Sequence, residues 1–259
     1  MDRAYRVTNA LGLVALRALG VRMHWSGIEH LPTTGPVIVA ATHVSYPDFV
    51  FIERVALERD RYVRFLTRHD VWRPGLGWFL DRMGHVPVDR SVAAAAYLRA
   101  RRLLGEGHAV GIFPEAGISY SFTVRSLMKG TAALARETGA PVVPVAIWGT
   151  QRIYTVGVPH PRPSLARGRR VDVAFGPPRY AAPDADLTAW TTELGHTLTA
   201  MLDTLQRFPE HQPRPGEHAT WHPAHLGGSA PTRAQARDLD MVPRSAVTPT
   251  WGPAPDVVD

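Results

Sequence analysis

Residues 38–48 read IVAATHVSYPD, and this stretch predicts a buried strand that runs through a short turn into a helix. Residues 37–41 are predicted to form the strand, because an uninterrupted apolar run is typical of a strand inside a sheet. Pro47 favours a helix that starts beside it, since proline is well tolerated in the first helical turn. The stretch therefore indicates a strand–turn–helix unit.

The turn in this unit carries His43 and Asp48, five positions apart. On one continuous helix the two side chains would point roughly 140° apart, whereas a strand–turn–helix arrangement lets them meet. A histidine that is oriented by a carboxylate can take the proton of a hydroxyl group. We therefore predict a general base at His43 and its orienting carboxylate at Asp48; the alternative for this pattern alone is a structural histidine that caps the helix.

The rest of the chain alternates apolar runs with helical segments. Further strands are predicted at residues 23–29, 63–67, 85–88, 109–113, 141–148 and 170–175, and helices at 49–57, 72–83, 91–104, 129–138 and 186–207. This alternation predicts an α/β fold with a mixed, mostly parallel central sheet that is flanked by helices. Ligands of such folds bind at the carboxyl ends of strands, and His43 and Glu115 both follow such ends.

The two ends of the chain differ from this middle part, residues 25–208. Residues 1–24 are predicted to form an amphipathic, rather apolar helix at a membrane interface, with arginines opposite an apolar face. That face is made of Val7, Leu11, Val14, Ala18 and Val21. A helix packed on the domain is the alternative. Residues 209–259 are rich in Pro, His, Ala and Arg without a helical or strand period, which predicts a disordered tail.

Composition narrows the function classes. The 259 residues include no cysteine, which excludes disulfides, a thiolate nucleophile and cysteine-based metal sites. The formal net charge of +6 suits anionic lipid or a phosphorylated substrate, and nucleic acid is not expected because no arginine-rich block is interleaved with aromatic residues. We expect no metal site, since the spacing of His218, His222 and His225 is better explained by a solvated Pro/His-rich tail.

Two further clusters suit a phosphate or a hydroxyl group. Residues 84–90 read GHVPVDR and place Arg90 just before a predicted helix, where a guanidinium group and backbone N–H groups can bind phosphate. Residues 112–119 read IFPEAGIS and place Glu115 at a strand end, with Gly117 where backbone can approach a ligand closely. The alternatives are a surface arginine that pairs with Asp89, and a turn with a solvated glutamate.

In this order and spacing, the clusters resemble the sequence blocks of the glycerolipid acyltransferase family, typified by bacterial 1-acyl-glycerol-3-phosphate acyltransferases. The family's Asn-His-x4-Asp block corresponds to residues 42–48, and its Gly-x4-Asp-Arg-like block to residues 84–90. Its Phe-Pro-Glu-Gly-Thr-Arg-Ser block corresponds to residues 113–119, and its Val-Pro-Val strand to residues 143–146. The resemblance covers about residues 5–205 and implies the glycerolipid acyltransferase fold.

The resemblance implies transfer of a fatty acyl group from acyl-CoA or acyl carrier protein to the hydroxyl of a lysophospholipid, most simply 1-acyl-glycerol-3-phosphate. His43 would be the base and Asp48 would orient it, with no acyl-enzyme and no cofactor. Substrate contacts are implied for Arg90, Glu115, Gly117, Ser119, Arg125 and Lys129. A peripheral or monotopic position on the cytoplasmic face of the cell membrane is implied as well.

One residue departs from the family pattern in a way that bears on the substrate. Ile118 stands where the third block has an arginine that binds phosphate. Phosphate binding would then fall to Arg90, with Arg125 or Lys129 as substitutes. The departure leaves open an acceptor without phosphate, such as a lyso-ornithine lipid or a glycolipid. A non-catalytic protein that binds acyl-CoA or lipid, and a thioesterase in which the same pair activates water, are further alternatives.

Overall fold

The computed structural model describes residues 2–72, 76–89, 93–158, 161, 163–164, 166–240 and 242–252. The helices are α1 (Asp2–Ala18), α2 (Asp48–Ala56), α3 (Leu76–Met83), α4 (Ala93–Gly105), α5 (Gly130–Thr138), α6 (Leu187–Gln206) and α7 (Arg233–Leu239). The strands are β1 (Arg22–Ser26), β2 (Val37–Ala41), β3 (Val63–Arg68), β4 (Val86–Val88), β5 (Ala109–Ile112), β6 (Val142–Trp148) and β7 (Arg170–Phe175).

The seven strands form one sheet in the order β1-β7-β6-β2-β5-β3-β4. β2 lies in the middle and pairs in parallel with β6 on one side and with β5 on the other. Within the described residues, β6 and β7 are the one pair of neighbours that runs antiparallel. The predicted α/β fold with a mixed, mostly parallel sheet is confirmed.

The central strands are buried along their whole length, as their uninterrupted apolar sequences predict. Every residue of β2 and of β6 is buried, and α2, α4, α5 and α6 contact the sheet. Helices that cover an internal sheet leave no solvent-facing side that would require alternating polar residues. The largest boundary difference among the strands is at β1, which ends at Ser26 instead of residue 29. Gly27 takes a left-handed φ of 68° there, and an added Cβ would lie 2.0 Å from the carbonyl oxygen of Phe175.

The N-terminal helix packs on the domain through one side and exposes the other. Tyr5 is buried and its hydroxyl donates to the carbonyl of Val63, and Leu16 packs against the core. Positions 5 and 16 share a face, because eleven residues make almost three helical turns. Val7 and Val14 are 56% and 63% exposed, so part of the predicted apolar face points away from the domain. Among the described residues, no helix combines the length and the hydropathy that crossing a membrane requires.

The prediction of a disordered tail over residues 209–259 is wrong for the part that the structure describes. Trp221, Val247 and Trp251 are buried, and α7 starts with a capping box at Thr232. Nε2 of the buried His211 lies 2.7 Å from Asp172 in β7. The segment has no period of its own because its order comes from contacts with the domain, and local pattern does not encode such contacts.

Candidate active site

Three neighbouring parallel strands end at the same edge of the sheet, because β6, β2 and β5 lie side by side. The turn after β2 carries His43 and Asp48, the turn after β5 carries Glu115, and a short 3-10 turn after β6 begins with Thr150. This edge is where α/β folds collect the groups that bind and transform ligands. The topology therefore places four polar side chains from three turns in one region.

Asp48 fixes the orientation of His43. Its buried Oδ2 atom accepts hydrogen bonds from Nδ1 of His43 at 2.9 Å and from the backbone N–H groups of Val44 and Ser45 at 2.7 and 2.9 Å. A carboxylate beside Nδ1 favours the tautomer with the proton on that nitrogen, which leaves Nε2 as the proton acceptor. The His43 side chain is 16% exposed, so the ring is held but reachable.

Thr150 completes the environment of the carboxylate and was not predicted from the sequence. Its hydroxyl donates to Oδ1 of Asp48 at 2.5 Å, and its side chain is fully buried. Gly149 makes this turn possible: its φ is 109°, and an added Cβ would lie 2.2 Å from the carbonyl oxygen of Arg170. Thr150 follows the predicted strand 141–148, so extending the strand-end rule to this third strand would have found it.

Glu115 joins the turn after β2 to the loop that connects β5 to α5 (residues 113–129, the β5–α5 loop). Its Oε1 accepts from the backbone N–H of His43 at 2.8 Å, and its Oε2 accepts from that of Arg125 at 3.1 Å. A second link runs from the N–H of Ser119 to the carbonyl of His43 at 3.1 Å. Burial raises the pKa of Glu115 to about 8, although the hydrogen bonds from Arg125 and His43 counteract it. Glu115 is thus buried and stabilises the turn after β2 through its hydrogen bond from the His43 backbone, so it is not a solvated glutamate.

Aromatic rings pack against one face of the imidazole. The His43 ring stacks on Phe113, with ring centroids 4.0 Å apart, and Phe113 stacks on Phe65 at 5.2 Å. Phe65 lies directly over Gly111 in β5, where an added Cβ would come within 2.5 Å of the ring. The stack restricts rotation of the imidazole about the axis that the hydrogen bond to Asp48 leaves free.

The residues that were predicted to bind the acceptor do not all meet at this site. Arg90 lies outside the described residues. Ser119 and Arg125 are buried in the β5–α5 loop, where Nη1 of Arg125 donates to the Ile118 carbonyl and lies 3.1 Å from Asp240. Gly117 is in the same loop, and Lys129 is exposed as the N-cap of α5.

Nor do the described residues gather a metal-binding group. They contain no cluster of three or more His, Asp or Glu side chains that is arranged to hold an ion. The three histidines at 218, 222 and 225 belong to the folded C-terminal segment, where His222 is fully buried between Trp148 and Trp221. The chemistry that the described site supports is proton transfer at Nε2 of His43.

Comparison with known proteins adds a family and a fold. A family model described as Acyltransferase matches residues 22–148. The chain is 30% identical over 146 residues to the 1-acyl-sn-glycerol-3-phosphate acyltransferase of Borreliella burgdorferi, which covers 54% of this chain and 57% of that protein. It is 28% identical over 141 residues to a chloroplastic 1-acyl-sn-glycerol-3-phosphate acyltransferase of Arabidopsis thaliana, covering 52% of this chain and 38% of that one. The chain thus spans about half the length, or less, of these relatives.

Two other matches extend over more of the chain. An uncharacterized protein of Mycobacterium leprae is 29% identical over 217 residues, which is 67% of this chain and 56% of that protein. The crystal structure of the 1-acyl-sn-glycerophosphate acyltransferase PlsC from Thermotoga maritima superposes with a TM-score of 0.65 and 22% identity. That match covers 79% of this chain and 80% of the other, so the two proteins share a fold.

Proposed function

Because residues 22–148 belong to the glycerolipid acyltransferase family, we propose that this chain moves a fatty acyl group from a thioester donor to the hydroxyl of a lysophospholipid. The observation that carries the proposal is the hydrogen bond between Nδ1 of His43 and the buried Asp48, which leaves Nε2 available to a hydroxyl group. A general base so placed typically contributes a rate factor of roughly 10² to 10⁴.

The reaction needs one base and no covalent enzyme intermediate. Nε2 of His43 accepts the proton of the acceptor hydroxyl while the hydroxyl oxygen attacks the thioester carbonyl. The tetrahedral intermediate then collapses, the carbon–sulfur bond breaks, and the thiolate takes the proton from Nε2. His43 returns to its starting state, and Asp48 stabilises the imidazolium that forms between the two steps.

For the acceptor, we favour 1-acyl-glycerol-3-phosphate, which would give phosphatidic acid. The support is that the relatives from Borreliella burgdorferi and Arabidopsis thaliana are 1-acyl-sn-glycerol-3-phosphate acyltransferases. The donor would be acyl-CoA or acyl carrier protein, used as a co-substrate without any cofactor. Arg90, Gly117 and Lys129 remain proposed contacts of the acceptor.

A second acceptor class, a lysolipid without a phosphate group, is favoured by one specific observation. Ile118 occupies the place of the family's phosphate-binding arginine. Arg125, the neighbouring cation, is 7% exposed and its guanidinium lies against the Asp240 carboxylate. Both features reduce the positive charge that the β5–α5 loop can offer to a phosphate, so a lyso-ornithine lipid or a glycolipid is the alternative.

We place the protein on the cytoplasmic face of the cell membrane as a peripheral protein. Val7 and Val14 of α1 are exposed, and so are Trp78 and Phe79 of α3, which contacts α1. Exposed apolar and aromatic side chains on neighbouring helices are typical of a surface that enters the lipid headgroup region. The formal net charge of +6 would add attraction to anionic lipid.

An acceptor panel tests the proposal. The purified chain is incubated with isotope-labelled acyl-CoA and, in separate reactions, lysophosphatidic acid, lyso-ornithine lipid, a lyso-glycolipid or no acceptor. We expect a labelled diacyl product, and free CoA in equal amount, with lysophosphatidic acid. Labelled product with the phosphate-free acceptors alone would show that the acceptor is a lysolipid without a phosphate group. Free CoA without acceptor would indicate a thioesterase. No release of CoA from acyl-CoA, and no release of the free carrier thiol when acyl-loaded carrier protein is the donor, would contradict an enzymatic function.

A further inference from the structure

The β5–α5 loop is held from two sides. On the side of the site, Glu115 and Ser119 connect it to the backbone of His43, as described above. On the other side it is held by residues 233–240 and 242–252 of the C-terminal segment, which as a whole begins at residue 209. Leu127 and Val247 exchange two backbone hydrogen bonds, and Nε1 of the buried Trp251 donates to the carbonyl of Val124 at 3.1 Å. The loop therefore lies between the catalytic turn and a segment far away in the sequence.

Asp240 is the charged contact between this segment and the loop. Its Oδ1 lies 3.1 Å from Nη1 of Arg125, and the two side chains are 8% and 7% exposed. This carboxylate thus ties the C-terminal segment to the loop at Arg125. Burial raises the pKa of Asp240, while Arg125 and the Tyr120 backbone counteract the rise.

A continuous set of contacts leads from Asp240 to the imidazole turn. The guanidinium group of Arg125 donates a hydrogen bond to the Asp240 carboxylate, and the backbone N–H of Arg125 donates to Glu115. Glu115 accepts the backbone N–H of His43 on its other oxygen. Removing one partner of a buried ion pair leaves the other charge uncompensated, so Arg125 would move or draw in water if the carboxylate were lost.

We propose that Asp240 is a positioning residue for acyl transfer, which sets the place of His43 through Arg125 and the β5–α5 loop. Asp240 lies well beyond residues 22–148, the part of the chain that the family model matches. The C-terminal segment is then a part of the catalytic domain. Loss of the Asp240 carboxylate would displace the β5–α5 loop and so change the rate of the chemical step. The inference rests on the proposed function, because the rate in question is that of acyl transfer.

Kinetics of four variants test the role: Asp240→Asn, Asp238→Asn, Arg125→Met and the double variant Arg125→Met/Asp240→Asn. Asp240→Asn keeps the size of the side chain and removes its charge. Asp238→Asn, the matched control, changes an exposed aspartate in the last turn of α7, two residues before Asp240. We expect Asp240→Asn to lower kcat about 10-fold with the KM of donor and acceptor nearly unchanged, since a displaced base affects the reacting geometry more than binding. In an Arg125→Met background the same change should have little further effect, because the two residues act as one unit.

Three results would overturn the proposal. They are an unchanged kcat in Asp240→Asn, an equal loss in Asp238→Asn, and a fall in the KM of the phosphate-bearing acceptor with kcat unchanged. The last result would make Asp240 a competitor of the phosphate for Arg125. Should Asp240→Asn not fold, Arg125→Lys keeps the charge, removes the planar fork and is read in the same way.

Hydrogen exchange separates this inference from the proposed function. The backbone N–H groups of His43 and Ser119 are measured by NMR in the wild type, Asp240→Asn and Asp238→Asn, without any substrate. We expect exchange of both groups to be about 10-fold faster in Asp240→Asn and unchanged in the control, because the loop that protects them is loosened. Unchanged exchange in Asp240→Asn would contradict the linkage even in an active enzyme. An inactive wild type with the expected exchange pattern would contradict the proposed function alone.

Discussion

Asp48 accepts four hydrogen bonds, three on Oδ2 and one on Oδ1, from His43, Val44, Ser45 and Thr150. Three of the donors do not belong to the imidazole, so the carboxylate keeps its position whether or not His43 is protonated. The ring therefore follows the carboxylate, and the energy needed to reorganise the pair during proton transfer is small. Thr150 supplies the one hydrogen bond in this set that comes from outside the turn after β2.

Thr150→Val tests this arrangement at the level of a single residue. The change keeps the shape of the side chain and leaves Oδ1 of the buried carboxylate without its donor. Loss of a hydrogen bond to a charged group costs about 1.5 to 3 kcal/mol, so we expect kcat to fall by about 10-fold or more. The KM of both substrates should change little. Steady-state kinetics of the valine and serine variants provide the measurement; activity should return in Thr150→Ser, and equal activity in all three proteins would exclude the role.

Among the secondary-structure elements, α1 bears on the proposed function because one of its sides packs on the domain and the other is exposed. It uses Tyr5 and Leu16 to pack on the domain and turns Val7 and Val14 outward. The sequence left open whether this helix contacts a membrane or packs on the domain. The structure shows packing through one side, and membrane contact of the exposed side stays a prediction. Packing was one of the two alternatives, but Tyr5 and Leu16, which make the contact, were not among the residues of the predicted apolar face.

Val14→Glu tests the membrane contact of α1. A carboxylate on the exposed face would have to enter the headgroup region of an anionic membrane, which opposes it both by desolvation and by charge. We expect the bound fraction on vesicles of phosphatidylcholine and phosphatidylglycerol to fall several-fold in a sedimentation assay. Leu98→Glu, on the exposed side of α4, is the control and should bind like the wild type. Equal loss of binding in both variants would point to net charge instead of the α1 face.

For the molecule as a whole, the sequence predicts the sheet well and the C-terminal segment poorly. The strands are predictable because a strand covered on both sides must be an apolar run, and β6 and β7 fall within a residue of the predicted 141–148 and 170–175. The His43–Asp48 contact is predictable because both residues belong to one turn. The contacts of Thr150 with Asp48 and of Arg125 with Asp240 come from tertiary packing, and neither spacing nor periodicity predicts contacts between such distant positions.

The folded state of the C-terminal segment has a consequence for stability against acid. Burial lowers the pKa of His222 to about 4, and the charged neighbours His225, His211 and Arg152 oppose its protonation as well. The unfolded chain binds the proton near the ordinary pKa of about 6.5, so the folded state loses stability as the pH falls from 6.5 toward 4. His222→Phe keeps an aromatic ring beside Trp148 and Trp221 and cannot be protonated.

Urea unfolding of the wild type and His222→Phe at pH 7 and at pH 4.5 measures this effect. We expect the free energy of unfolding of the wild type to decrease, relative to the variant, by about 2 kcal/mol between the two pH values. The difference arises only in a folded segment, because a histidine in a disordered tail would keep its ordinary pKa in both states. Parallel pH dependence of the two proteins would therefore contradict the burial of His222.

The measurement that tests the central claim most directly is acyl transfer by His43→Ala. Wild type and variant are incubated with labelled acyl-CoA and the acceptor that the wild type uses in the panel, and the diacyl product is quantified by mass spectrometry. We predict that product formation falls by roughly 10³-fold or more, since the general base is lost, while the thermal unfolding midpoint stays close to that of the wild type. Product formation at the wild-type rate in a folded His43→Ala protein would contradict the account.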